Sequence, residues 1–235
     1  SVRGPGAMCG TIGMKPSIGR IPMDILPSVF DNISHFGPLT RSAEDAALFL
    51  EVVQGPHDAD IESLPALGNL LGGVKQGVAG KRFALSMDQG FFAVAEDVQR
   101  QVEKAVGTLE AGGATVEAVD LPWTRALTDA WNDYWGVFMA GYFGGYLEEW
   151  RDQMDPAVVA LIELGNRLSA VELKRHEVLR TRQWQDLARI FSSYDALLTP
   201  TAARTAPQAE LRDDAFSSDD EEGRLKGLDM TMTFN

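Results

Sequence analysis

Apolar positions divide the chain into a loop-rich opening, a short α/β stretch and a long helical run. From Ser1 to about Leu39, Gly, Pro and Ser interrupt the apolar residues before any period is established, which predicts packed loop with little regular structure. Ser42-Ala43-Glu44-Asp45 has the form of a capping box, and Ala46 to Val53 is apolar almost all round until Gly55-Pro56, so a buried helix is predicted. Asp58 to Gly80 has no sustained period and reads as a connection across the surface. Lys81 to Met87 predicts a short strand. Between Glu96 and Ala111, Val98, Val102, Ala105, Val106 and Leu109 fall on one helical face, and Gly112-Gly113 closes the segment. Ala114 to Leu121 is a second strand, and strand, helix and strand make one βαβ unit with parallel strands.

Beyond Pro122 the pattern is helical to about Tyr194. Ser169-Ala170-Val171-Glu172 forms a second capping box, and Trp184, Leu187, Ala188 and Phe191 form a stripe predicted to face the core. Trp131, Tyr134, Trp135, Phe138, Tyr142, Tyr146 and Trp150 recur at steps of three and four, which places them on one face of a helix or helix pair. Asp195 to Thr199 is the next strand. Strands separated by long helical stretches make the class α/β.

Composition narrows the function. A chain of 235 residues with 45% hydrophobic content buries about 70% of its unfolded surface around one core. The net charge of -13 argues against a nucleic-acid partner, because phosphate binding requires a cationic patch. Much of the excess is Asp213, Asp214, Asp219, Asp220, Glu221 and Glu222, read as a solvated acidic loop. No apolar run reaches the length of a membrane span. One cysteine allows no internal disulfide and suits a reducing, cytoplasmic setting. Cys9 lies among small apolar residues and is predicted to be a buried packing residue. His35, His57 and His176 lack ligand spacing, so neither a metal nor any other cofactor is predicted. His35 borders a Phe-Gly-Pro motif and is a candidate for the edge of a site.

Four stretches carry chemistry. The first runs Ser1-Val2-Arg3 through Ala7-Met8-Cys9-Gly10 to Gly13-Met14-Lys15-Pro16-Ser17. The second is Phe36-Gly37-Pro38-Leu39-Thr40-Arg41-Ser42-Ala43-Glu44-Asp45-Ala46-Ala47. Weaker echoes are Asp195-Ala196-Leu197-Leu198-Thr199-Pro200-Thr201 and the closing Met232-Thr233-Phe234-Asn235. Together these resemble the amidase-signature hydrolases over nearly the whole chain, with both ends appearing as interruptions inside a longer domain.

The resemblance implies a mixed β-sheet sandwiched between helices. It makes residues 1–235 a single partial domain: nucleophile loop and helix in 1–56, linker and βαβ unit in 57–122, an aromatic-rich substrate side in 123–194, and strand plus acidic loop in 195–235. It also implies a Ser-cis-Ser-Lys triad, in which a neutral lysine draws a proton through a bridging serine from the nucleophile. Burial must then move that lysine from about 10.4 toward about 7 to 8. Only Ser1 matches a catalytic position; the lysine and bridging serine have no counterpart, so this stretch by itself is expected to be inactive. Arg3 is expected to support the nucleophile loop, Lys15 to be structural, and Tyr134, Trp135 and Phe138 to touch an apolar or aromatic acyl group.

The expected partner is a small-molecule amide, and a homodimer is compatible with the sequence. Three other readings remain open on the sequence. One is the A component of a glutamyl-tRNA amidotransferase, one an N-terminal-nucleophile hydrolase with the Ser1 α-amine as base, and one a remnant without turnover.

Overall fold

A computed structural model describes residues 2–206 and 224–235. Ser1, the predicted nucleophile, and the acidic run at 213–222 lie outside the described residues. Contacts separate the chain into two compact units, 1–78 with 205–207 and 79–204 with 208–235.

The first unit is more regular than the Gly- and Pro-rich opening predicts. Helix α1 spans Arg3–Cys9 and ends on Gly10, whose left-handed φ of 64° is reached without a Cβ penalty. Pro5 falls in the first turn, where its missing N–H costs no helical hydrogen bond. Strand β1, Ile12–Gly13, pairs antiparallel with β2, Leu39–Thr40. The loop expected over residues 1–39 therefore holds a helix and β1 and runs into β2, and the ribbon escaped the local pattern because its two strands are far apart in sequence.

Helix α2, Ala43–Val53, is capped by the Ser42 side chain, which accepts from the Asp45 N–H. Its burial is one-sided: Ala46, Ala47 and Leu50 are inside, whereas Val52 is 76% exposed and Leu48 50%. The helix predicted to be buried all round thus meets the rest of its unit on a single face. A four-residue helix α3, Leu70–Gly73, continues into a 3₁₀ turn at Val74–Gln76 within the predicted surface connection. Buried Asp60 ties that connection to the residues after α1, accepting from the N–H of Met23 and of Glu62, each at 2.9 Å.

The second unit holds a parallel sheet in the order β4-β3-β5. β3 is Arg82–Leu85, α4 is Glu96–Ala111 and β4 is Thr115–Ala118, which realises the predicted βαβ unit. The helical run follows as α5 (Ala126–Phe143), α6 (Leu147–Trp150), α7 (Pro156–Arg167) and α8 (Ala170–Phe191), and β5 (Ala196–Leu198) then adds to the free edge of β3. The full capping box forms at Ser169 and Glu172. With parallel and antiparallel pairings both present, the class is α/β as predicted.

Leu121, Trp123 and Leu127 form a core cluster against Leu179, Leu187 and Ile190 of α8 and Leu197 of β5. This corrects the predicted α8 stripe. Trp184 is 63% exposed and Phe191 46%, because the helix turns toward the core the face carrying residues 179, 187 and 190, of which the predicted set shares only Leu187.

Candidate functional site

The predicted nucleophile loop is built by close backbone approach. A Cβ on Gly13 would lie 2.0 Å from the Val2 carbonyl oxygen, and one on Gly37 would lie 1.9 Å from the Met14 carbonyl oxygen. Only glycine permits these contacts. The β1–β2 pairing sets Ile12 opposite Thr40 and Gly13 opposite Leu39, and the Met14 N–H donates to the Pro38 carbonyl at 3.2 Å. The first two sequence motifs are therefore one structure, packed against Val2, the residue bonded to Ser1.

Arg3 begins α1 in this unit, in the electrostatic company of Lys15 and His35. Burial first, and then the positive charge of Arg3, lower Lys15 from 10.5 to about 8. Burial also brings Arg3 down to about 10. His35 falls to about 4, mainly by burial and then by the Lys15 charge. Its Nδ1 lies 3.2 Å from the Ile33 carbonyl, and the Ile33 N–H donates to Asp31 at 3.0 Å. His35, Asp31, Ser17 and Asp60 line a cavity of about 20 Å³, room for a water molecule and too small for an amide. The predicted border position of His35 is thus a water-sized niche.

Cys9 is exposed, contrary to the packing role predicted from its apolar-small neighbours. It ends α1 on the side turned away from the packed interior of its unit. Among the described residues no group of three or more His, Cys, Asp and Glu side chains is arranged to hold a metal ion.

Tyr134, Trp135 and Phe138 belong to the second unit. Trp131, Trp135, Phe138 and Tyr142 make a continuous ladder along α5, with centroid separations of 5.7, 4.7 and 4.5 Å. Tyr146 and Trp150 lie beyond α5, at 56% and 42% exposure, so the belt is shorter than its spacing predicts. Tyr134 is turned toward α8: its hydroxyl reaches the Leu173 carbonyl at 3.5 Å, and the Arg180 guanidinium lies 5.0 Å from its ring centroid. Beside it, His176 Nε2 pairs with Asp133 at 2.7 Å. The structure therefore keeps Trp135 and Phe138 together and separates Tyr134 from them. A second cavity, of about 380 Å³, is lined by Trp123, Leu127, Leu179, Arg182 and Asp186, and none of the three predicted substrate residues lines it.

Sequence reasoning missed Gln89. It is fully buried with φ of 52°, and its amide nitrogen donates to Thr199 Oγ1 at 3.2 Å and to the Met230 carbonyl at 3.1 Å. Its amide oxygen accepts from Thr233 Oγ1 at 2.7 Å. The third and fourth motifs, one at Thr199 and the other at Thr233, are joined through this side chain. The signal available was the turn-like Asp88-Gln89-Gly90, which marks a bend and gives no hint of a polar core.

These arrangements match a known family along almost their whole length: the Amidase family model covers residues 1–233. The chain belongs to the Amidase family. Its relatives include an acylamidase of Rhodococcus erythropolis, 31% identical over 208 residues, which cover 86% of this chain and 43% of that protein. The A component of the glutamyl-tRNA(Gln) amidotransferase of Salinibacter ruber is 41% identical over 126 residues, 53% of this chain and 24% of that protein. Among solved structures, a bacterial aryl acylamidase of the amidase-signature enzymes superposes with a TM-score of 0.87 at 28% identity, covering 97% of this chain and 50% of the other. The chain thus spans about half the length of the proteins it matches, and its fold is the amidase-signature fold.

Proposed function

We propose that the complete protein hydrolyses carboxylic amides through a serine acyl-enzyme, with Ser1 as nucleophile. The observation that carries this is the mutual packing of the two motifs behind Val2, in a chain of the Amidase family. The Ser1 oxygen bonds to the carbonyl carbon, and its proton passes through a bridging serine to a neutral lysine, neither of which has a counterpart in this stretch. The lysine returns the proton to the departing amine as the C–N bond breaks, and water then hydrolyses the ester. Arg3, the first helical residue of α1, supports the loop. This stretch alone, lacking the base, is expected to be without turnover.

An aromatic or apolar acyl group is the favoured substrate. The half-buried faces of Trp135 and Phe138 supply the surface for it. Tyr134, held to α8, makes a weaker contact. The partner is a small-molecule amide in the cytoplasm, and the charge of -13 disfavours nucleic acid. In the complete polypeptide, Ser1→Ala should abolish release of amine from aryl amides; unchanged turnover would remove Ser1 from the mechanism.

The 41% identity to the Salinibacter ruber amidotransferase component favours a second reading, ammonia release from glutamine. Turnover of glutamine side by side with aryl and aliphatic amides separates the two: efficient glutaminase activity with no aryl amidase activity would select the second.

A further inference from the structure

The cavity of about 380 Å³ in the second unit is used by none of the acyl-transfer steps above, and its size lies within the range of about 300–1,000 Å³ typical of small-molecule sites. One wall is a single face of α8, on which Leu179, Arg182, Asp186 and Arg189 follow one another at steps of three and four. Against it stand Trp123 and Leu127, both buried. These two and Leu179 belong to the same core cluster, so the apolar surface of the cavity is fixed in advance. The Trp123 ring lies 5.5 Å from that of Phe234, and its Nε1–H donates to Asp186 Oδ2 at 3.1 Å.

Most of the polar groups around this surface are already engaged. Asp186 gives one carboxylate oxygen to the Trp123 indole and the other to the Arg189 guanidinium. Gln183 donates its amide to the Thr233 carbonyl. Arg182 has no hydrogen bond or ion pair among the described residues. Two cations against one carboxylate leave the lining with a positive charge in excess, in a chain whose net charge is -13.

We propose that this cavity binds an aromatic carboxylate, its ring on the surface made by Trp123, Leu127 and Leu179 and its carboxylate paired with Arg182. A planar guanidinium donates two parallel N–H bonds to a carboxylate, which fixes orientation as well as charge. The single excess charge matches a monoanion; a doubly charged phosphate would stay half uncompensated, and an organic cation would be repelled. The assignment uses residues of the second unit alone and does not depend on the amide-hydrolysis reading.

The test titrates phenylacetate into the complete protein and its Arg182→Gln and Arg182→Lys variants by calorimetry, with neutral 2-phenylethanol as the control. Arg182 is exposed, so neither substitution disturbs packing. Phenylacetate should bind the parent protein with a Kd of roughly 0.1–1 mM, and more weakly as salt is raised. Arg182→Gln should weaken it about tenfold, Arg182→Lys by less, and 2-phenylethanol should bind more weakly than the acid and equally to all three proteins. No saturable binding of phenylacetate below about 10 mM overturns the proposal, as does 2-phenylethanol binding as tightly as the acid. An affinity unchanged by Arg182→Gln overturns it too, and is the result expected if the acid binds elsewhere as a product of hydrolysis.

Discussion

At the scale of single residues, two positions concentrate the constraints. Gly13 exists as glycine because the Val2 carbonyl oxygen occupies the space of a Cβ, 2.0 Å away. Gly13→Ala must push β1 off the residue bonded to Ser1. It should cost about 1–3 kcal/mol of stability and, through displacement of the proposed nucleophile, about a hundredfold in kcat. Thermal unfolding and steady-state assays on the complete protein check both. Gln89 is constrained by bonding, with three partners in a fully buried setting. Gln89→Leu keeps a comparable volume but removes its bonds to all three; the Thr233 hydroxyl still donates to the Met230 carbonyl at 2.9 Å, and about 1–3 kcal/mol is expected for each group left unsatisfied. Urea denaturation should show the loss, and an unchanged midpoint would mean that water replaces the amide.

At the scale of elements, helix α5 meets α7 where Gly136 and Gly165 face each other. A Cβ on Gly165 would come 2.0 Å from the Gly136 carbonyl oxygen and 2.8 Å from the Cβ of Ala140. Helix propensity alone favours Ala over Gly by about 1 kcal/mol, so the sign of Gly165→Ala decides which effect wins. A net loss of stability is expected, because the obstructing atom is backbone and backbone cannot rotate away. The same crossing buries Ile162 completely, and it holds in place the helix that carries the Trp135 and Phe138 ladder. If that ladder contacts the acyl group as proposed, loosening it should raise KM for aryl amides before it changes kcat.

At the scale of the whole molecule, pH dependence is the accessible observable. His35 is lowered from 6.5 to about 4 and Lys15 from 10.5 to about 8. In both windows the unfolded chain binds more protons than the folded one, so stability rises with pH from about 4 to 6.5 and again from about 8 toward 10. Glu117, Glu172 and Asp195, all lowered by hydrogen bonds, act in the same direction at the acid end, where their contribution is lost as pH falls through their folded values. Tyr134 and Tyr194 are raised and oppose the gain once pH exceeds 10. A melting-temperature profile should show the alkaline rise, and Lys15→Met should flatten it. A parent profile already flat from pH 8 to 10 would contradict the burial assigned to Lys15.

Local pattern determined the elements that local chemistry can specify. Glu96–Ala111 was legible from its apolar period and terminal glycines, the Ser169–Glu172 box from its own four residues, and the parallel βαβ unit from their order. The family motifs likewise marked the two stretches that pack together behind Val2. Tertiary structure alone decided what depends on partners distant in sequence. Residues 12–13 become a strand because 39–40 lie beside them, and α8 buries Leu179 and Ile190 in place of Trp184 because Leu121, Trp123 and Leu127 lie on that side. Gln89 becomes a hub because Thr199, Met230 and Thr233 converge on it. Lys15 acquires an altered charge balance in the same way, from Arg3 and from burial. Periodicity records which face of an element is apolar; which atoms that face meets, and what electrostatic cost follows, is set only when the chain closes on itself.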